Sequence, residues 1–177
     1  GELVSYGRFP HQHGLKKLTV EDKKIIQWAM DITKLSEYEV TLVDNLSGGQ
    51  RQRVWIAMAL AQQPEILLLD EPTTYLDIRH QLALMELVEG LHDALGLTVV
   101  MVLHDLNQAV RHARRIIAVR AGELLADGPP NEVFTRALVR DLYGVESRVS
   151  DIEIAGRRTK LCLPERVAET AVNEAAS

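Results

Sequence analysis

The spacing of apolar residues along the chain changes near Asn45. Before that point, Ile25, Ile26, Trp28, Ala29 and Ile32 recur near the helical period, behind Thr19-Val20-Glu21-Asp22, a helix start with a capping residue and early acids. Gly7, Pro10 and Gly14 interrupt the stretch ahead of it. Residues 1–45 therefore predict a small, mainly helical subdomain. Beyond Asn45, helices near 48–63, 78–95 and 105–114 alternate with short apolar, β-rich runs at 66–70, 98–103 and 116–120. This alternation predicts an α/β domain over residues 46–145, with a parallel sheet covered by helices on both faces. Within it, 123–128 reads as a hairpin return strand after Ala121-Gly122, Pro129-Pro130 closes it, and 131–143 reads as helix. Residues 146–177 predict a second hairpin, 148–154 with 159–163 across 155–158, and a polar, Ala-rich, loose tail from 165.

Composition narrows the class. A hydrophobic content of 46% over 177 residues suffices for one packed domain of ordinary size. The longest apolar runs, Ile66–Leu69 and Val99–Leu103, fall far short of the ~20 residues that cross a bilayer. A net charge of −5 without a long basic tract argues against a nucleic-acid partner, and Arg111-His112-Ala113-Arg114-Arg115 reads as a solvated helix face. Cys162 is the only cysteine, so it has no internal disulfide partner; with no ligand cluster nearby it reads as a structural thiol in a reducing cytosol. The chain opens on Gly with no charged-then-apolar leader, and is expected to be cut from something longer.

Four segments carry candidate chemistry. Ser47-Gly48-Gly49-Gln50 opens a helix with an S-x-x-Q capping box. A well-capped helix would explain the serine and glutamine; two glycines, each costing roughly 1 kcal/mol against alanine, suit a phosphate approaching exposed N–H groups. Ile66-Leu67-Leu68-Leu69-Asp70-Glu71 is an apolar strand ending in two carboxylates, and a buried parallel strand delivers its C-terminal end to the ligand edge of its sheet. Asp70 would hold Mg²⁺ and Glu71 would orient and deprotonate a water attacking a γ-phosphate. The next strand ends at His104, which by itself would be structural but is placed to contact the same phosphate or water. Asp77 can cap the helix beginning at Ile78.

In this order the motifs resemble the nucleotide-binding subunits of ATP-binding-cassette (ABC) transporters: a signature at Leu46–Gln50, a Walker B segment through Glu71, a D-loop around Asp77 and a switch histidine at His104. The resemblance covers essentially the whole chain. It implies a P-loop NTPase, RecA-like fold with a helical subdomain, ATP and Mg²⁺ as ligands, and ATP hydrolysis. It also implies two such subunits sandwiching two ATP molecules, Ser47, Gly48, Gly49 and Gln50 serving the nucleotide held by the other subunit, and Asp77 contacting across the dimer. Gly7–His11, Asp70–Asp77 and Leu103–Ala109 look like the ferric-siderophore importers, with cobalamin and haem importers close behind. Integral-membrane permease subunits, indirectly a periplasmic or lipoprotein solute-binding protein, and a peripheral place on the cytoplasmic face of the membrane follow as expectations of the resemblance.

The departure from the family is the phosphate-binding loop. No G-x-x-x-x-G-K-[ST] occurs, the Q-loop segment is missing, and Gly14-Leu15-Lys16-Lys17 is no substitute. Family topology places the strand before that loop between the His104 strand and 116–120, so the sheet is expected to lack its centre and to expose unpaired strand edges. The chain alone is expected to be inactive. The alternatives are a non-catalytic interaction module that keeps the helical and signature surfaces, and a soluble cassette ATPase of repair or translation, disfavoured by the single cassette without a basic or coiled-coil insertion.

Overall fold

A computed structural model describes residues 1–11 and 17–169, so Gly14–Lys16 and the end of the tail lie outside the described residues. The chain divides into two compact units, 1–102 and 103–177. The division falls at neither expected boundary, 45/46 or 145/146.

The reason is a continuous apolar core in the first unit. Helices α1 (Glu2–Ser5), α2 (Val20–Ile32), α3 (Gly48–Leu60) and α4 (Ile78–Leu95) alternate, after α3, with strands β1 (Ile66–Asp70) and β2 (Thr98–Val102). Val4, Ile26, Ala29, Leu35, Ala57, Leu67 and Leu84 belong to one buried cluster, which ties the helical segment to α3, β1 and α4. Helix α2 starts at a capping box between Thr19 and Asp22 and buries Ile25, Ile26, Ala29 and Met30. Its burial stripe runs through Met30, and Trp28, expected on that face, is exposed.

Strands β1 and β2 pair in parallel, with Leu67 opposite Val99 and Asp70 opposite Val102. The core of the first unit lies against one face of this pair. Leu67 is buried and Leu69 and Val99 pack on the core, while Ile66, Leu68, Val100 and Val102 on the opposite face are exposed. Side chains alternate across a strand, so an unbroken apolar run does not reveal whether one or both faces meet a second layer. Among the described residues, 116–120 does not extend this sheet; it pairs with the strand that follows it.

The second unit contains α5 (Leu106–His112), β3 (Ile116–Arg120), β4 (Glu123–Gly128), α6 (Pro130–Val133), α7 (Arg136–Tyr143), β5 (Val145–Ile154) and β6 (Arg157–Val167). The expected helix over 131–143 is broken between Val133 and Arg136, where Thr135 caps a new helix by accepting from the Leu138 amide. Two antiparallel hairpins turn at Ala121-Gly122 and Ala155-Gly156, pairs with positive φ at both residues, the geometry that suits a two-residue hairpin turn. The second hairpin is longer than expected: β6 takes in 165–167, assigned in sequence to the loose tail, and the Ala168 amide donates to Gly144 O at 2.7 Å. Cys162, 1% exposed, packs with Val110, Phe134 and Val139, as a structural thiol should. Asn107 holds the backbone beside it, accepting from Cys162 N at 2.8 Å and donating to Cys162 O at 3.2 Å.

Candidate phosphate-facing site

The signature segment forms the predicted capping box. Ser47 leaves the chain extended at φ −63° and ψ 162°; its Oγ accepts from Gln50 N at 3.3 Å, and Gln50 Oε1 accepts from Ser47 N at 2.8 Å. Ser47 and Gly48 are exposed, whereas Gly49 is buried. The two glycines therefore do different things. A methyl at Gly48 would meet only Leu76 Cδ2, at an ordinary 3.5 Å, while one at Gly49 would overlap the His80 ring, whose Cγ lies 2.9 Å away.

At the end of β1 Asp70 is exposed and Glu71 is partly buried. Glu71 donates its amide to Val102 O at 3.1 Å, continuing the ladder, and then turns the chain with φ +45°. That half of backbone space is unfavourable for a residue with a Cβ, at about 1–3 kcal/mol, and such residues cluster at functional sites. Thr74 Oγ1 donates to Glu71 Oε2 at 3.1 Å and fixes the carboxylate's orientation. Tyr75, φ +63°, completes the turn with its side chain in solvent. Gln81 Nε2 ties the turn from α4 by donating to Thr73 O at 3.3 Å and Leu76 O at 3.0 Å.

Asp77 caps α4 as predicted. Its Oδ1 accepts from His80 N at 2.9 Å and lies 2.8 Å from His80 Nδ1. The His80 backbone amide first, and the His80 ring second, hold the Asp77 carboxyl below its ordinary value, so it is ionised at neutral pH. The structure thus brings together Asp77, His80 and Gly49. His80 and Thr74 were missed as site residues in the sequence; the Asp-x-x-His spacing, one turn from an N-cap, was the signal for the first.

The opposite end of α3 is built differently. Arg8, 6% exposed, donates from Nε to Asp22 Oδ1 at 2.9 Å and from Nη1 to Ala61 O at 2.8 Å and Gln63 Oε1 at 3.2 Å. His11 Nε2 lies 2.9 Å from Gln62 O. Gly7 permits the approach, since a methyl there would overlap the Met58 carbonyl oxygen. The Gly7–His11 segment, read in sequence as a mark of one importer branch, is thus a clasp on the last carbonyls of a helix.

In the second unit, His104 is exposed directly before α5, and Asp105 caps that helix by accepting from Asn107 N at 2.8 Å and Gln108 N at 3.0 Å. The basic stretch expected to be solvated is partly engaged: Arg115 makes a two-pronged pair with Asp127 at 2.6 and 2.8 Å.

Mg²⁺ is commonly held by one or two carboxylates together with phosphate oxygens and water. Asp70 supplies one such hard oxygen donor, and among the described residues no group of three or more His, Cys, Asp or Glu could hold a metal. This donor set suits a cation that arrives with a phosphate, not a dedicated cage.

A glycine-led capped helix beside a parallel strand that ends in paired carboxylates suits the P-loop NTPase fold class. The chain belongs to the ABC transporter family: the family model described as ABC transporter matches residues 5–74. It is 49% identical over 148 residues to the iron(3+)-hydroxamate import ATP-binding protein of Bacillus subtilis, covering 84% of this chain and 55% of that protein. A protein assigned as a metal-chelate type ABC transporter, in an inward-facing conformation, superposes with a TM-score of 0.86 at 26% identity, over 93% of this chain and 66% of that one. A dimeric ABC transporter cassette matches at 35% identity and a TM-score of 0.59, over 72% of this chain and 54% of that one. The chain spans 53–63% of the length of the first curated relatives it matches.

Proposed function

We propose that this chain supplies the signature, Walker B, D-loop and switch portions of the ATP-hydrolysing subunit of an iron-siderophore importer. The observation that carries the reading is 49% identity to an iron-hydroxamate import protein in a chain whose Ser47 box and Asp70-Glu71 strand end share one compact unit. Residues 1–45 are the helical subdomain, 46–145 the catalytic part and 146–177 a C-terminal hairpin and tail. The partners are membrane permease subunits, a second copy of the nucleotide-binding subunit and, indirectly, a solute-binding protein. Among the described residues no helix is long and apolar enough to cross a membrane, which suits a subunit peripheral to the cytoplasmic face.

Each residue then has a role. Asp70 is the carboxylate toward Mg²⁺, which when bound neutralises charge on the β- and γ-phosphates. Glu71, oriented by Thr74, takes the proton of the attacking water, and His104 contacts that water or the γ-phosphate. Ser47, Gly48, Gly49 and Gln50 present a helix N-terminus to the nucleotide of the other subunit, where N–H groups and the helix dipole favour an anion. Asp77 lies at the same interface.

Because the 177 residues contain no G-x-x-x-x-G-K-[ST], the chain alone is expected to show no Mg-ATP binding in titration calorimetry; micromolar affinity overturns this account. The trans assignment is tested in cassettes of the relatives' length, made by joining this chain to the leading part of the Bacillus subtilis protein. A subunit carrying Ser47→Arg is mixed with one carrying a disabled phosphate-loop lysine. After a control establishes that one intact site turns over, partial recovery of ATPase activity supports action in trans. No recovery from proven heterodimers leaves Ser47 as a helix cap.

A further inference from the structure

We propose that His80 is a positioning residue that locks the D-loop to the first turn of the signature helix, so that both segments meet the nucleotide as one element. The inference rests on the reading of Ser47–Gln50 as phosphate-facing. Its geometry does not.

The His80 ring fills the space that a side chain at position 49 would occupy, with Cγ 2.9 Å from where a Gly49 Cβ would stand. The sequence suits both glycines to a phosphate; in the structure a side chain at position 49 would meet the His80 ring, while Gly48 is at the surface. The ring itself has little freedom. Asp77 Oδ1 takes the His80 backbone amide at 2.9 Å and stands 2.8 Å from the ring Nδ1. An ionised carboxylate only accepts, so Nδ1 carries the hydrogen of this contact. One oxygen therefore holds both the start of α4 and the plane of the ring. A shift of the Asp77 loop must carry the ring with it, and the ring lies against the backbone of Gly49. Close-packed groups transmit such displacements because there is no void to absorb them.

The lock separates from simple packing in His80→Phe, which keeps a ring against Gly49 but cannot donate to Asp77. In the ¹⁵N-labelled chain, His80 is expected to show the tautomer protonated at Nδ1. His80→Phe is expected to speed amide exchange at Gly49 and Gln50 by roughly 5–30-fold, the effect of losing one or two kcal/mol locally, with the global unfolding midpoint unchanged. Gly49→Ala is expected to lower that midpoint much less in a His80→Ala background than in the parent. An Nε2-protonated tautomer, unchanged exchange in His80→Phe, or additive effects of Gly49→Ala and His80→Ala each overturn the lock. In the length-matched cassette His80→Phe should lower kcat with KM for ATP nearly constant; an unchanged kcat overturns the positioning role. Full activity of Ser47→Arg there instead overturns the phosphate-facing reading, whichever way the exchange and tautomer measurements fall.

Discussion

The two ends of α3 are opposites. At its C-terminal end Arg8, held by Asp22, reaches Ala61 O and Gln63 Oε1, and the Arg8 and Asp22 side chains are nearly out of water. At its N-terminal end Ser47 and Gly48 face solvent, and the capping box occupies only part of what a helix start offers. One end spends its hydrogen bonds on the fold and the other keeps them accessible. The lesson is that helix ends of similar polarity in sequence can serve stability or recognition, and that burial separates the two.

If this contrast is right, variants near the open end change activity with little effect on stability, and variants at the clasp do the reverse. The largest expected effect is on turnover. In the length-matched cassette Glu71→Gln should cut ATP hydrolysis by roughly 10²–10⁴-fold, the range for removing a general base, with nucleotide binding and thermal midpoint retained; His104→Ala should also impair hydrolysis. A steady-state ATPase assay beside a melting curve checks it, and undiminished turnover would remove Glu71 from the chemistry.

The next effect is structural. Arg8→Ala leaves the Asp22 carboxylate, 7% exposed, and the Ala61 carbonyl without their shared donor. Its unfolding midpoint should fall further than that of any variant at Ser47, and Arg8→Lys should restore little, because an ammonium cannot reproduce the fork. A midpoint equal to the parent's would dissolve the contrast.

Acid sharpens the same comparison. Asp22 is held down to about 2 from an ordinary 3.8, first by the Thr19 hydroxyl and then by the Arg8 guanidinium. A folded-state value below the unfolded one means that the stabilisation is present above pH 3.8 and is lost as pH falls through about 2. Denaturant midpoints measured across that window should decline in the parent and decline less in Asp22→Asn. The smallest effect is Ser47→Ala, expected to cost about 1 kcal/mol for a lost cap by chemical denaturation.

Much of this molecule was legible in its sequence because local rules wrote it. The capping boxes at Thr19 and Ser47, the cap at Asp77 and the strand ending at Asp70 all follow from residues within a few positions of one another. What was not legible depends on partners distant along the chain. Nothing near Gly49 announces that His80 fills its space, and nothing near Arg8 announces Ala61. The single-faced burial of β1 was hidden for a related reason, since the apolar run Ile66–Leu69 is the same whether one layer or two cover it. The extra length of β6 was missed because Glu165 and Arg166 look like tail residues, yet an exposed strand surface accepts them.

The uncovered face of the β1–β2 pair also sets how the isolated chain behaves as a colloid. Ile66, Leu68, Val100 and Val102 are 56, 72, 50 and 51% exposed on one side of a two-stranded sheet. Such a face lowers the concentration at which molecules stay dispersed without any of them unfolding. Excluded salts such as sulfate deepen the tendency by favouring removal of apolar surface from water.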